Sequence, residues 1–98
     1  MIKTSTHHLH RLTPIVEEIA TEIASAVQKH PEWPRDIIHQ WAIVQEEAGE
    51  TQKDVLQWVY DTVDGDAYMY QKEKVRAEAV QTAAMCLRFL VHLDDVRP

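Results

Sequence analysis

The chain has little that turns or breaks a backbone: two glycines and four prolines in 98 residues. So few breakers mean few, long elements. No stretch alternates apolar and polar residues with period two, which removes the usual mark of a half-buried strand. No internal repeat is visible. The single cysteine, Cys86, excludes an internal disulfide and fits a reducing compartment, so a cytoplasmic protein is expected. Cations are also short. Ten Lys and Arg face sixteen Asp and Glu, a net charge of -6. That argues against nucleic acid as the main partner, because a phosphate backbone calls for a basic face. It leaves room for a phosphorylated small molecule held through a metal ion. No apolar run is long enough to span a bilayer, since the most apolar stretch, Thr82 to Leu93, is broken by Arg88. The opening Met-Ile-Lys-Thr-Ser-Thr-His-His lacks the apolar core of a signal peptide.

What is present is a helical pattern. The 45% hydrophobic content excludes a disordered chain. Ninety-eight residues make one domain with a modest core, for which oligomerisation is a common remedy. Residues 1–12 are polar and carry His7, His8 and His10; an exposed extension or an extra helical turn is the plainer expectation, and metal binding the sharper one. Thr13-Pro14 reads as an N-cap followed by a first-turn proline. Val16, Ile19, Ala20, Ile23, Ala24 and Val27 then form one apolar stripe to about Lys29. His30-Pro31-Glu32-Trp33-Pro34 breaks the helix. Trp33 there either stacks on a nucleobase or closes over the core, and closure is the commoner role.

A second helix is expected from about Pro34 to Tyr60, with Ile37, Trp41, Val44, Ala48, Val55 and Val59 as its inward stripe. Ile38, Ala42 and Leu56 make a second apolar patch of the kind a partner subunit covers. Gly49 inside this helix suggests close approach of another backbone, or a slight kink. Asp64-Gly65-Asp66 signals a turn without the ligand pattern of a calcium loop. Tyr68, Met69 and Tyr70 suggest a short helical turn. Lys72, Lys74 and Arg76 form the one dense basic cluster and are read as a helix start, where cations sit poorly against the dipole. A third helix follows from about Val75 to Leu93, apolar on two faces and therefore central, with Glu78, Gln81, Met85, Arg88 and His92 as its polar strip. Residues 94–98 are expected to be loose. The fold class is all-α: a small bundle of three main helices plus a short one, assembling as an oligomer.

The chemistry concentrates in Glu46-Glu47-Ala48-Gly49-Glu50. Carboxylates three and four apart share a helix face and repel. A divalent cation reverses the sign of that interaction, because hard cations take several carboxylate oxygens at once. Glu47 and Glu50 lie beside the apolar stripe, so partial burial is expected for both. If the second and third helices pack antiparallel, Glu78 faces them and a metal cage forms between helices of a bundle.

Glu46-Glu47-Ala48-Gly49-Glu50, followed by Glu78-Ala79-Val80-Gln81, resembles the signature of the MazG-like all-α nucleoside triphosphate pyrophosphohydrolases. Their pattern is Glu-Glu-x-x-Glu, then Glu-x-x-Asp on a later helix. Trp41-Ala42-Ile43-Val44 and Thr82-Ala83-Ala84-Met85 read similarly, so the resemblance spans roughly Ile37 to Leu93. It implies magnesium-dependent hydrolysis, with manganese as a substitute ion, of a nucleoside or deoxynucleoside triphosphate to the monophosphate and pyrophosphate, in nucleotide-pool cleansing or remodelling. By position, Glu47, Glu50 and Glu78 would be metal ligands, with Gln81 at the fourth position. Glu46 and Glu47 would be the catalytic carboxylates, Glu46 holding a further metal or orienting the attacking water. Gln81 departs from the family's Asp and supplies an oxygen without a charge. Lys53, Lys72, Lys74 and Arg76 are candidates for the outer phosphates, and Asp54 is either an extra ligand or a solvated side chain. Lys53 has an ion pair with Glu46 or Glu50 as its ordinary alternative. Trp58 and His39 are near the acidic face, where packing is the commoner role. The resemblance also implies a dimer or tetramer. The competing expectations are a non-catalytic helical module with a degenerate metal site and, last, a di-iron bundle, which wants Glu-x-x-His pairs that the chain lacks.

Overall fold

The computed structural model describes residues 1–61 and 65–95. It contains a short helix α1 (Thr6–Leu9), three long ones, α2 (Leu12–Lys29), α3 (Ile37–Tyr60) and α4 (Gly65–Val91), and a closing 3-10 turn, Leu93–Asp95. There is no strand among the described residues. The all-α class and three main helices therefore stand. Asp64 of the expected turn, and residues 96–98 of the expected tail, lie outside the described residues.

Each break has a local cause. α2 begins at Leu12, two residues earlier than the Thr13 cap predicts, and its cap residue Arg11 makes no side-chain bond. Pro14 is then the third helical residue, where a missing N–H still leaves no intrahelical bond unmade. α3 begins at Ile37, later than the proline signal suggests. Asp36 caps it, accepting from Ile38 N at 2.7 Å and His39 N at 3.3 Å. α4 begins ten residues earlier than expected. Gly65 opens it at φ 74, a left-handed conformation glycine adopts without strain. Tyr68–Met69–Tyr70 and the basic cluster are therefore helix interior, not a separate turn and a helix start. The extra turns are held by Gln71, whose buried side chain donates to Asp54 O at 3.2 Å, and by Tyr68 against Trp58 with ring centroids 5.3 Å apart.

α4 is the central helix, as expected, although Ala79, Leu87, Leu90 and Val91 of its two expected apolar faces are exposed. α3 runs antiparallel along it: Trp41 meets Phe89, Thr51 meets Thr82, Asp54 meets Lys74 and Trp58 meets Tyr68. α2 lies parallel to α4, with Glu18 bound to Arg76 and His30 O to Arg88. Arg88 is buried and does several jobs at this end. Its guanidinium donates to His30 O at 2.7 Å and Glu32 O at 3.4 Å, which satisfies carbonyls left over where α2 ends. It also lies 4.7 Å from the centre of the Trp33 ring, which stacks in turn on His92. Trp33 thus closes this end of the bundle.

The inward stripes differ from those expected. On α3 the residues turned to α4 include Gln40, Val44, Glu47, Thr51, Asp54 and Trp58, a repeat of four and three in which only Val44 is aliphatic. Of the predicted stripe, Val44 is buried, but Trp41, Val55 and Val59 are exposed. The α2 stripe holds in part: Ile19 and Ile23 are half-buried together with Ile15, Glu18 and Glu22, whereas Val16, Ala20, Ala24 and Val27 are exposed. The polar strip of α4 is its inner face rather than its outer one. Some of these polar side chains find partners inward. Thr51 pairs with Thr82, Asp54 with Lys74, and Gln40 donates to Pro34 O at 2.8 Å. Only Val44 and Ala84 are fully buried apolar residues among those described.

Asp36→Ala removes both cap bonds and should lower stability by about 1 kcal/mol. That corresponds to a fall of roughly 5 °C in the thermal midpoint of a domain this size, read by circular dichroism.

Candidate metal centre

Glu47 and Glu50 project from one turn of α3, and Glu78 comes from the facing turn of α4. One carboxylate oxygen from each lies within 4.8 Å of the other two. Among the described residues no other group of three His, Cys, Asp or Glu side chains converges this way, the three N-terminal histidines included. The ring of His8 is instead taken up with Ser5, its Nδ1 lying 3.0 Å from the hydroxyl.

Two hydroxyls set the register. Thr51 follows Glu47 by four residues and Thr82 follows Glu78 by four. Each bonds back to the carbonyl of its own glutamate, at 3.1 and 3.0 Å, and the two hydroxyls meet at 2.9 Å. Two hydroxyl hydrogens thus serve three contacts, so one contact is unmade at any instant. The pair pins α3 to α4 one turn from the carboxylates.

The carboxylates themselves are poorly satisfied. Glu47 and Glu78 are half-buried and Glu50 is exposed, so the expected burial holds for Glu47 and fails for Glu50. The Oε2 atoms of Glu47 and Glu78 are buried with no hydrogen-bond partner. Burial pushes the Glu47 carboxyl above its ordinary value, and the charges of Glu50, Glu78, Glu46 and Glu22 add to this. Glu78 is raised by burial first, then by Glu50 and Asp54, against an opposing pull from Lys74. Unpaired, partly buried anions are costly. A hard divalent cation would satisfy both orphaned oxygens and cancel the repulsion. An all-oxygen donor set without Cys or His suits magnesium, manganese or calcium. Three carboxylates leave coordination positions for water and phosphate, as magnesium prefers. The residues present therefore fit such an ion.

The other candidates divide around this centre. Lys53 and Lys74 share a pocket of about 170 Å³ with Glu50, Glu78 and Asp54. Asp54 is buried and pairs with Lys74 at 3.5 Å, so it is neither solvated nor one of the converging three. Gln81 lies on the other side of Glu47, in a cleft of about 240 Å³ that also takes in Glu22, Ser25 and Lys29 of α2. Lys72 and Arg76 line a separate apolar groove of about 380 Å³ with Ile15, Ile19 and Trp58, and Arg76 is bound to Glu18. Glu46 is exposed and outside the converging group, and acts on Glu47 through its charge. His39 is exposed. Glu22 and the threonine pair are the participants that sequence reading missed. The threonines were findable, since each sits four residues after a site glutamate. Glu22 was not, because its closeness to Glu47 depends on how α2 is rotated.

No protein family, characterised protein or solved structure matches this chain. Among the described residues, no helix is long and apolar enough to cross a membrane.

The raised carboxyls fix a pH dependence. Below the ordinary value of 4.5 both groups are protonated, folded or unfolded, and nothing is lost. As pH rises through the higher folded values, the native state must give up protons it holds more tightly than the unfolded chain does, and stability falls. In a chelator, the thermal midpoint of the wild-type chain should therefore drop between about pH 5 and 8 relative to the double variant Glu47→Gln/Glu78→Gln. Parallel pH profiles for the two proteins would show that these groups are not perturbed.

Proposed function

We propose that this chain is a magnesium-dependent nucleoside triphosphate pyrophosphohydrolase of the MazG-like type, a cytoplasmic homo-oligomer that cleaves a (d)NTP to monophosphate and pyrophosphate. The observation that carries the reading is the convergence of Glu47, Glu50 and Glu78, two of them with buried oxygens that nothing in the chain satisfies. On this reading the three glutamates hold the ion, which when bound supplies charge neutralisation and Lewis acidity toward the triphosphate. Lys53 and Lys74, on the rim, meet the outer phosphates. Lys72 and Arg76 serve the α2–α4 contact instead. Glu46, exposed beside Glu47, orients water for in-line attack at the α-phosphorus. Gln81 offers an amide oxygen from the α2 side of Glu47.

A second reading, a non-catalytic helical module with a degenerate site, draws on two observations. Gln81 stands where the family has a charged Asp, and Glu46 lies outside the converging group. The experiment that separates the two is pyrophosphate release with magnesium across canonical and modified NTPs and dNTPs. We expect release with at least one member of the panel. Glu47→Gln, Glu50→Gln and Glu78→Gln should each lower kcat/KM at least about 100-fold, since loss of an outer-sphere partner alone costs 10- to 100-fold. No release from any substrate by folded protein would leave the module reading in its place.

A further inference from the structure

The protomer exposes more surface than its mass should. Its accessible area is 7863 Å², whereas a folded monomer of 11.4 kDa exposes about 5,800 Å². Its radius of gyration is 15.7 Å against about 13 Å for a compact chain of this length. The excess is spread over the chain, Met1, Ile2, Tyr70 and Val91 included, and the outer face of α3 carries part of it.

The outer face of α3 is the part of that excess with the clearest design. Ile38 is 76% and Val59 61% exposed, with Trp41 and Leu56 also exposed between them. The six charged or imidazole side chains of α3, His39, Glu46, Glu47, Glu50, Lys53 and Asp54, all lie off this face by helical phase. Absence of charge marks the middle of an interface rather than a solvated surface. Gly49 sits in the same face. An added Cβ there meets nothing within 4 Å, so no contact inside the chain requires glycine at a position where it costs helix stability. The space beside Gly49 is open, so another backbone can come close there.

The face is also its own complement. α3 runs from Ile37 to Tyr60, so its midpoint falls between Ala48 and Gly49. A two-fold axis there places the smallest pair, Ala48 and Gly49, across from each other where the backbones come closest. It sets Gln45 opposite Gln52, amide against amide. It sets Ala42 opposite Val55, Trp41 opposite Leu56, and Ile38 opposite Val59. Every position of the face thus maps onto another position of the same face. At the rim, Lys53 of one copy falls about two residues along the axis, roughly 3 Å, from Glu46 of the other.

We propose that two copies of this chain pack α3 against α3, antiparallel, about a two-fold axis between Ala48 and Gly49, with Glu46 of each copy beside the partner's Lys53. This gives the proposed homo-oligomer a face and brings a partner cation to the edge of the acidic centre. It does not depend on the pyrophosphohydrolase reading.

The test is sedimentation equilibrium of the full chain over nanomolar to micromolar concentrations. Gln45→Glu puts an anion against an amide and should raise the dimer dissociation constant at least 10-fold. Gln45→Glu/Gln52→Lys should restore it, because these positions are seven apart within one helix and reach each other only across the axis. A second measurement covers variants that unfold on dissociation. Ala48→Cys in a Cys86→Ala background should be linked into a dimer by a short bifunctional maleimide, and Glu73→Cys on α4 should not. A monomeric wild type, a dimer indifferent to Gln45→Glu, a loss that Gln52→Lys fails to rescue, or linkage at position 73 without linkage at 48 would each overturn the proposal. None of these readouts involves substrate, so their failure leaves the proposed hydrolysis standing or falling on its own assay.

Discussion

Glu47, Glu50 and Glu78 repel one another, and the helices that carry them are held in register by a few paired polar side chains along the same seam. Thr51 and Thr82 hold hands one turn away. Asp54 is buried but keeps Lys74 and, through its carbonyl, Gln71. At the far end Arg88 ties α4 to the α2–α3 connection. An isolated ion pair or hydrogen bond is worth little net. Their value here is register. Slide α3 by one turn on α4 and the threonines part, Asp54 is left charged and unpartnered, and Gln71 loses its acceptor. The acidic cluster is thus held in a repulsive arrangement by neighbours that would each be unsatisfied in any other.

A polar seam has a second effect. Helices bury apolar stripes to gain stability, and here the stripe between α3 and α4 has been given over to glutamate, glutamine, threonine and aspartate. Val16 and Val27 of α2 and Trp41, Val55 and Val59 of α3 are exposed, and among the described residues Val44 and Ala84 are the fully buried apolar side chains. A domain of this length is marginal even with a conventional core. One rotation of α3 puts the Glu47 and Asp54 carboxylates on the inside and leaves Trp41, Val55 and Val59 exposed on the outside.

The parts legible in the sequence were those governed by local rules. Helix number, the break at Pro31–Pro34 and the centrality of α4 follow from breaker positions and from two apolar faces on one helix. Facing placement of Glu47, Glu50 and Glu78 follows from antiparallel packing plus i,i+3 spacing. What failed was rotation. The stripe through Trp41, Val55 and Val59 is the more apolar one, and periodicity assigns the more apolar face to the nearest neighbour. It has no means of knowing that the nearest neighbour offers Thr82, Lys74 and Gln71. The early start of α4 was missed for a related reason. Gly65 punctuates the sequence as a turn, and the pairing of Tyr68 with Trp58 that extends the helix is a long-range contact.

The two half-buried carboxyls also make the site a place where protons and cations compete. Glu47 and Glu78 hold their protons more tightly than ordinary glutamates, because burial first, and neighbouring carboxylates second, disfavour their charged forms. Any ion that takes those oxygens must first evict the protons, so occupancy of the centre and local acidity are thermodynamically linked. Mild acidification would therefore release a bound ion and at the same time relieve the repulsion between the carboxylates. The helices need not come apart when the site is stripped, since protons stand in for the missing charge.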